Sequence, residues 1–97
     1  MTYRIVILPS AQADLGEIDI YLSPFSQSAF ERLLTAIEKR CSTLSVFPET
    51  GRLFSVGPPK IRVVFIKKYA LFYQIDRDTI EIARIIDGRR DLTLLSM

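Results

Sequence analysis

Histidine is missing from this 97-residue chain, and with it the commonest general base and the commonest metal ligand. A serine triad is excluded for the same reason. There is one cysteine, Cys41, so no internal disulfide forms and no cysteine-built zinc site exists. The carboxylates show no metal-loop spacing. The four glycines, Gly16, Gly51, Gly57 and Gly88, are scattered, which rules out the glycine loops that cradle phosphates or dinucleotides. No apolar run approaches the roughly 18 residues that span a bilayer, and the N-terminus has no signal-peptide pattern. An enzyme built from what remains has only Arg, Lys, Tyr and carboxylates to work with. That points to phosphate chemistry or to no chemistry, with no cofactor and no metal.

What is present is ordinary for a globular chain: 48% hydrophobic and 25% charged residues. The length suits one domain over residues 1–97, burying roughly two thirds of its unfolded surface. Cys41 falls on an apolar stripe and reads as a small buried hydrophobe, with a reducing cytoplasm as the expected compartment. The net charge of +2 is unevenly spread. Residues 1–51 hold four cations and six carboxylates, and residues 52–97 hold nine cations and five carboxylates. Either the strand faces and loops simply need solvated charge, or the second half presents a basic surface to nucleic acid or to an acidic protein.

Tyr3 to Leu8 reads as a first strand stopped by Pro9. Ser10 is expected to cap a helix, with Asp14 serving the dipole in its first turn. Ala11, Leu15, Ile18 and Leu22 recur on one helical face, and Ser23-Pro24 ends the run. A second helix starts near Ser26 or Ser28, the latter forming a capping box with Glu31. Its stripe is Phe30, Leu33, Leu34, Ile37, Cys41 and Leu44, taking it to about Ser45. The short link predicts an antiparallel helical hairpin. Phe47 to Lys60 is expected to be irregular. Three strands follow by alternation, Ile61–Ile66, Tyr69–Ile75 and Thr79–Ile86, turning at Lys67-Lys68 and at Asp76-Arg77-Asp78. The fold class is α+β, in the order β-α-α-β-β-β, with the helical hairpin on one face of a mostly antiparallel sheet.

The most function-like segment is Ile85-Ile-Asp-Gly-Arg-Arg-Asp91. Gly88 accepts backbone conformations closed to other residues and delivers Arg89 and Arg90 side by side. These two either join a local ion-pair cluster with Asp87 and Asp91 or offer planar forks to phosphate or carboxylate. Arg62 and Arg84, inside strands, either guard the sheet against unwanted pairing or belong to a functional surface. Tyr69 and Tyr73 read as core-rim aromatics ahead of stacking platforms. Ile20, Tyr21 and Phe25 fall off the first helix's stripe and offer an apolar patch to a partner. The Leu92, Leu94, Leu95 tail needs a body or a partner to dock on.

The order of elements, Pro48-x-x-Gly51 after the second helix, Tyr69-Ala-Leu-Phe-Tyr73, and Gly88-Arg-Arg-Asp91 followed by Leu94-Leu95 together resemble the ParE/RelE toxin superfamily of type II toxin–antitoxin modules, over nearly the whole chain. The resemblance implies a toxin neutralised by a cognate, ParD-like or related antitoxin in a hetero-oligomer, away from membranes. RelE-type members cut messenger RNA on the ribosome with cations on the central strands and near the C-terminus, often with a late tyrosine or histidine. Here Ala70 stands where those toxins place an arginine, and no tyrosine follows Gly88. The ending is similar instead to ParE proteins, regarded as DNA gyrase inhibitors that act by binding.

That resemblance implies no catalytic residue and a target contact made by Arg89, Arg90, Asp91, Leu94 and Leu95, with Arg62. The antitoxin is expected on Leu15, Ile18, Tyr21 and Leu22 of the first helix, with Leu33 and Ile37 of the second. Two alternatives stay open. One is a ribosome-dependent endoribonuclease using Arg62, Tyr73, Arg89 and Arg90. The other is a degenerate family member that keeps antitoxin binding without toxicity.

Overall fold

A computed structural model describes residues 2–88. Eight elements follow one another: β1 (Arg4–Ile7), α1 (Pro9–Leu22), α2 (Ala29–Val46), a 3-10 turn (Pro48–Thr50), β2 (Arg52–Ser55), β3 (Ile61–Ile66), β4 (Tyr69–Asp76) and β5 (Thr79–Asp87). The five strands form one sheet in the order β1-β5-β4-β3-β2. Only the β1–β5 pair is parallel. The α+β class and the helical hairpin on a mostly antiparallel sheet are as the sequence implies. The addition is β2, which pairs antiparallel with β3 inside the segment expected to be irregular.

The period of two in β3 and β4 sorts their side chains onto two faces. Val64, Ile66, Tyr69, Leu71 and Tyr73 meet Leu33, Ile37, Cys41 and Leu44 of α2 and Ala11 of α1 in the main core. Val63, Ala70, Phe72 and Ile86 form a second apolar cluster on the opposite face. Phe54 of β2 stands edge-on against Phe72 there, with ring centroids 4.9 Å apart. A register shift in β5 opposite Phe72 and Tyr73 changes which residues face the helices. Ile80 and Ile82 before it and Ile85 after it therefore all reach the main core.

Three local expectations are corrected. Pro9 does not merely stop β1; it opens α1, where its missing N–H costs nothing. Ser10 is not a cap, because its hydroxyl donates to the Ala83 carbonyl at 2.6 Å. Ser28 precedes α2, but its hydroxyl accepts from Arg32 Nη1 at 2.6 Å and makes no capping bond.

Asp14 is the most consequential correction. It is not in the first turn and does not serve the dipole; it is buried. β1 pairs with β5 only from Thr79 to Ile82, so β5 runs on past its neighbour. α1 meets the exposed remainder with side chains. Ser10 takes the Ala83 carbonyl, and Asp14 Oδ2 accepts the Ile85 N–H at 2.9 Å. The same carboxylate receives Arg84 Nε at 2.8 Å and Nη2 at 3.0 Å. This bidentate pair crosses 70 positions of sequence and fixes α1 to the end of the sheet.

Asp14→Ala leaves the Ile85 N–H and the Arg84 guanidinium without this acceptor. The expected loss is about 2 kcal/mol of unfolding free energy, below the cost of a fully buried pair because Arg84 keeps access to water. Urea unfolding checks it, and a loss near zero would show the clasp to be dispensable.

Candidate functional site

Of the residues to which chemistry was assigned from sequence, Arg62 and Tyr73 share one of two polar constructions, and the other ends at Gly88, where the described residues stop. The first surrounds the Pro48–Thr50 turn. The Tyr73 side chain is fully buried, and its hydroxyl donates to the Pro48 carbonyl at 2.7 Å while accepting the Gly51 N–H at 2.9 Å. A methyl group at Gly51 would lie 2.8 Å from Tyr73 Cε1, so the backbone must pass bare at this point. Arg62 completes the turn from β3. Its Nη1 donates to the carbonyls of Gly51 at 2.8 Å and Glu49 at 3.1 Å, and its Nη2 lies 3.5 Å from Glu49 Oε2. Burial pushes the Tyr73 phenol above its ordinary range, against the opposing pull of the Gly51 N–H and the nearby Arg62.

The second construction lies where β5 ends. Gly88 donates its N–H to the Lys68 carbonyl at 2.9 Å. Lys68 Nζ sits 3.7 Å from Asp87 and over the rings of Tyr69 and Tyr21, at 5.5 and 5.8 Å. Gly88 does not adopt a positive φ, contrary to expectation. A Cβ here would stand 2.9 Å from Phe65 Cε1 and 3.3 Å from the Lys68 carbonyl oxygen, so a side chain would have to displace the partly exposed Phe65 ring. Beside this corner a groove of about 300 Å³ runs between α1 and β5, lined by Glu17, Ile18, Tyr21, Tyr69 and Ile86 among others.

The other sequence-derived site residues divide clearly. Leu33 and Ile37 are 2% and 3% exposed, so they are core side chains rather than a partner surface. Leu15 and Ile18 are half-buried against the same core, and Leu22 is half-buried. Tyr21 is 54% exposed and is joined by Ile20 and Phe25, each 75% exposed, at the turn between the helices. The Tyr21 and Phe25 rings lie 5.8 Å apart. Arg62 is close to the turn and its side chain is 14% exposed. Arg89, Arg90, Asp91, Leu94 and Leu95 lie outside the described residues.

Tyr73→Phe removes one donor and one acceptor from the turn and is expected to cost about 2 kcal/mol. Because the fold raises the Tyr73 pKa, the stabilising protonated form is complete below about pH 10. That stability is lost as pH climbs from there toward the folded value. Burial, reinforced by Glu38, raises the Cys41 thiol as well, so its share of the loss begins about a unit lower. Thermal melts from pH 8 to 11 should therefore fall less steeply for Tyr73→Phe than for wild type. Parallel curves would refute the role given to the phenol.

The arrangement of helices and sheet is shared with solved structures. Residues 5–92 match the sequence profile described as the ParE toxin of the type II toxin–antitoxin system parDE. Toxin ParE3 of Caulobacter vibrioides is 36% identical over 59 residues, which are 61% of this chain and 59% of that protein. The match thus spans about three fifths of that relative's length. Among solved structures, the chromosomal ParDE toxin–antitoxin system of Pseudomonas aeruginosa superposes with a TM-score of 0.70 and 18% identity, covering 89% of this chain and 96% of that one. The toxin–antitoxin complex RelBE2 of Mycobacterium tuberculosis gives 0.67 and 21%, with 90% and 99% covered. The two structures share the fold, and the profile, which spans nearly the whole chain, decides the family: this chain belongs to the ParE toxins of type II toxin–antitoxin systems.

Proposed function

We propose that this toxin inhibits DNA gyrase by binding it and carries out no reaction of its own. The carrying observation is the engagement of Tyr73 and Arg62 in the Pro48–Gly51 turn. Cleavage of RNA needs cations free to hold the scissile phosphate and a group free to activate the ribose hydroxyl. Tyr73 spends its hydroxyl on the backbone, and a buried phenol with a raised pKa is a poor base at neutral pH. Arg62 directs its guanidinium at two carbonyls, so it drops out of the target contact. Of the target contacts expected from sequence, Arg89, Arg90 and Asp91 are left for polar contact, with Leu94 and Leu95 to bury.

The antitoxin contact moves with the burial pattern. Leu33 and Ile37 belong to the core. Ile20, Tyr21 and Phe25 are exposed apolar groups near the turn between the helices, and Leu15, Ile18 and Leu22 of α1 are half-buried. Apolar side chains this exposed, grouped at one turn and bordered by the groove along α1, suit an amphipathic segment of an antitoxin.

Deleting residues 91–97 is expected to abolish accumulation of cleaved plasmid in a gyrase assay while antitoxin affinity stays within a few-fold. A folded, truncated protein that still traps cleaved DNA would remove the arm from the mechanism. Codon-specific cleavage on translating ribosomes by the intact protein would replace the reading with that of a nuclease. Phe25→Glu is expected to weaken the antitoxin complex by about tenfold or more, through one charged group placed in an apolar contact. Unchanged affinity in calorimetry would move the interface elsewhere.

A further inference from the structure

Helix α2 carries its side chains in three sectors. Leu33, Ile37, Cys41 and Leu44 face the core, and the helical period gathers Glu31, Thr35, Glu38 and Ser42 on another side. Between these sectors runs a stripe of Arg32, Lys39 and Thr43, with Arg40 at its border with the core, all of them exposed. The β3–β4 turn comes up beside this stripe and brings Lys67, also exposed, with a φ of 57°. Two shallow hollows of about 330 Å³ each lie between helix and turn, and Lys67 lines both. Arg32 lines one of them, and Lys39 and Arg40 line the other.

These cations face no counter-charge. Arg32, Lys39, Arg40 and Lys67 have no ion-pair partner among the described residues, although Nη1 of Arg32 donates to Ser28 Oγ at 2.6 Å. Lys68, next to the stripe, is occupied by Asp87 and by the rings of Tyr21 and Tyr69, so it is not counted with them. Between Glu49 and Asp76 the chain has no acidic residue to bring a carboxylate to the turn.

The lining of the hollows says which polyanion fits. A protein partner needs apolar side chains to bury at the centre of a contact. Here Leu33, Ile66 and Tyr69 are at most 6% exposed, which leaves Phe65, at 46%, as the large exposed apolar group lining them. A single strand needs a series of aromatic platforms for its bases, and one ring is too few. A duplex needs neither, because its backbone presents a regular row of charge. Arg32 and Lys39 stand about 10 Å apart along the helix axis, the axial length of about three phosphates of one strand.

We propose that the face made by α2 and the β3–β4 turn binds the sugar-phosphate backbone of duplex DNA without regard to sequence, through Arg32, Lys39, Arg40 and Lys67. The stripe shares no residue with the Ile20–Phe25 patch or with the segment after Gly88, and it does not depend on what the toxin inhibits.

The test follows fluorescence anisotropy of a short labelled DNA duplex titrated with antitoxin-free protein over a range of salt. Saturable binding is expected, equal for two unrelated sequences, and about a hundredfold weaker at about 200 mM salt than at about 50 mM, as about four phosphate contacts require. The combined variant Lys39→Gln, Arg40→Gln, Lys67→Asn removes three exposed charges, with asparagine chosen because it tolerates the left-handed turn position. It should flatten the log–log salt slope by about three. Arg77→Asn, the same exchange at the other left-handed turn position, should leave affinity within about twofold. An absence of binding at low salt, an unchanged slope in the combined variant, or an equal loss from Arg77→Asn would overturn the proposal. Tighter binding of a single-stranded RNA of the same length would overturn it in favour of RNA. Equal competition by a glutamate peptide of matched charge would overturn it in favour of an acidic protein.

Discussion

A parallel strand four residues long cannot cover a neighbour of nine, and the consequences of that mismatch run through this protein. β1 leaves the second half of β5 with an unpaired edge, which in a buried setting costs a hydrogen bond at each orphan group. Asp14 resolves it by accepting the Ile85 N–H and the Arg84 fork with one carboxylate. α1 is thereby pinned at the point where β5 leads toward Gly88 and the two arginines beyond. The Ile20–Phe25 tip and the end of β5 are thus carried on one braced unit, with Lys68 bridging them through Tyr21, Tyr69 and Asp87.

The same economy extends to the groups among the described residues that could have served chemistry. In a chain without histidine, Arg62, Arg84 and Tyr73 are three of the strand residues from which phosphate chemistry would have to be assembled. Each is committed to the fold instead: Arg84 to Asp14, and Arg62 and Tyr73 to the turn that starts β2. A phenol that both donates to and accepts from backbone is a satisfied buried group, and satisfying it is what allows a tyrosine to sit in the main core. The Pro48-x-x-Gly51 signature is therefore a structural device. Gly51 is small so that the tyrosine ring can reach the turn, and the turn in turn aims β2 along β3.

Much of this was legible in the sequence, and what was not follows a pattern. Alternation in Ile61–Ile66 and Tyr69–Ile75 fixed β3 and β4 almost to the residue, because one face of each must pair with helices. The stripe from Leu33 to Leu44 located α2 for the same reason. β2 escaped, being four residues between a glycine and a proline pair, with no burial pattern of its own: its stability comes from β3. The partners of Asp14 and Tyr73 escaped because they lie 70 and more than 20 positions away, where no local rule reaches. Leu33 and Ile37 were assigned to a partner because an apolar stripe does not say which of its residues meets the core. The exposed trio Ile20, Tyr21 and Phe25 could be singled out, since residues that fall off a helix's buried stripe have nowhere to go but the surface.

The proposed action is that of a stoichiometric ligand and not of a catalyst. The most direct measurement is a titration of purified gyrase with antitoxin-free toxin, following supercoiling activity to completion at gyrase concentrations well above the dissociation constant. A binding inhibitor predicts a linear loss of activity that ends at a fixed, near-integral ratio of toxin to gyrase, unchanged by longer incubation. Loss that continues with time at a small fraction of that ratio, or no loss of supercoiling from a folded protein that shuts down translation, would contradict it.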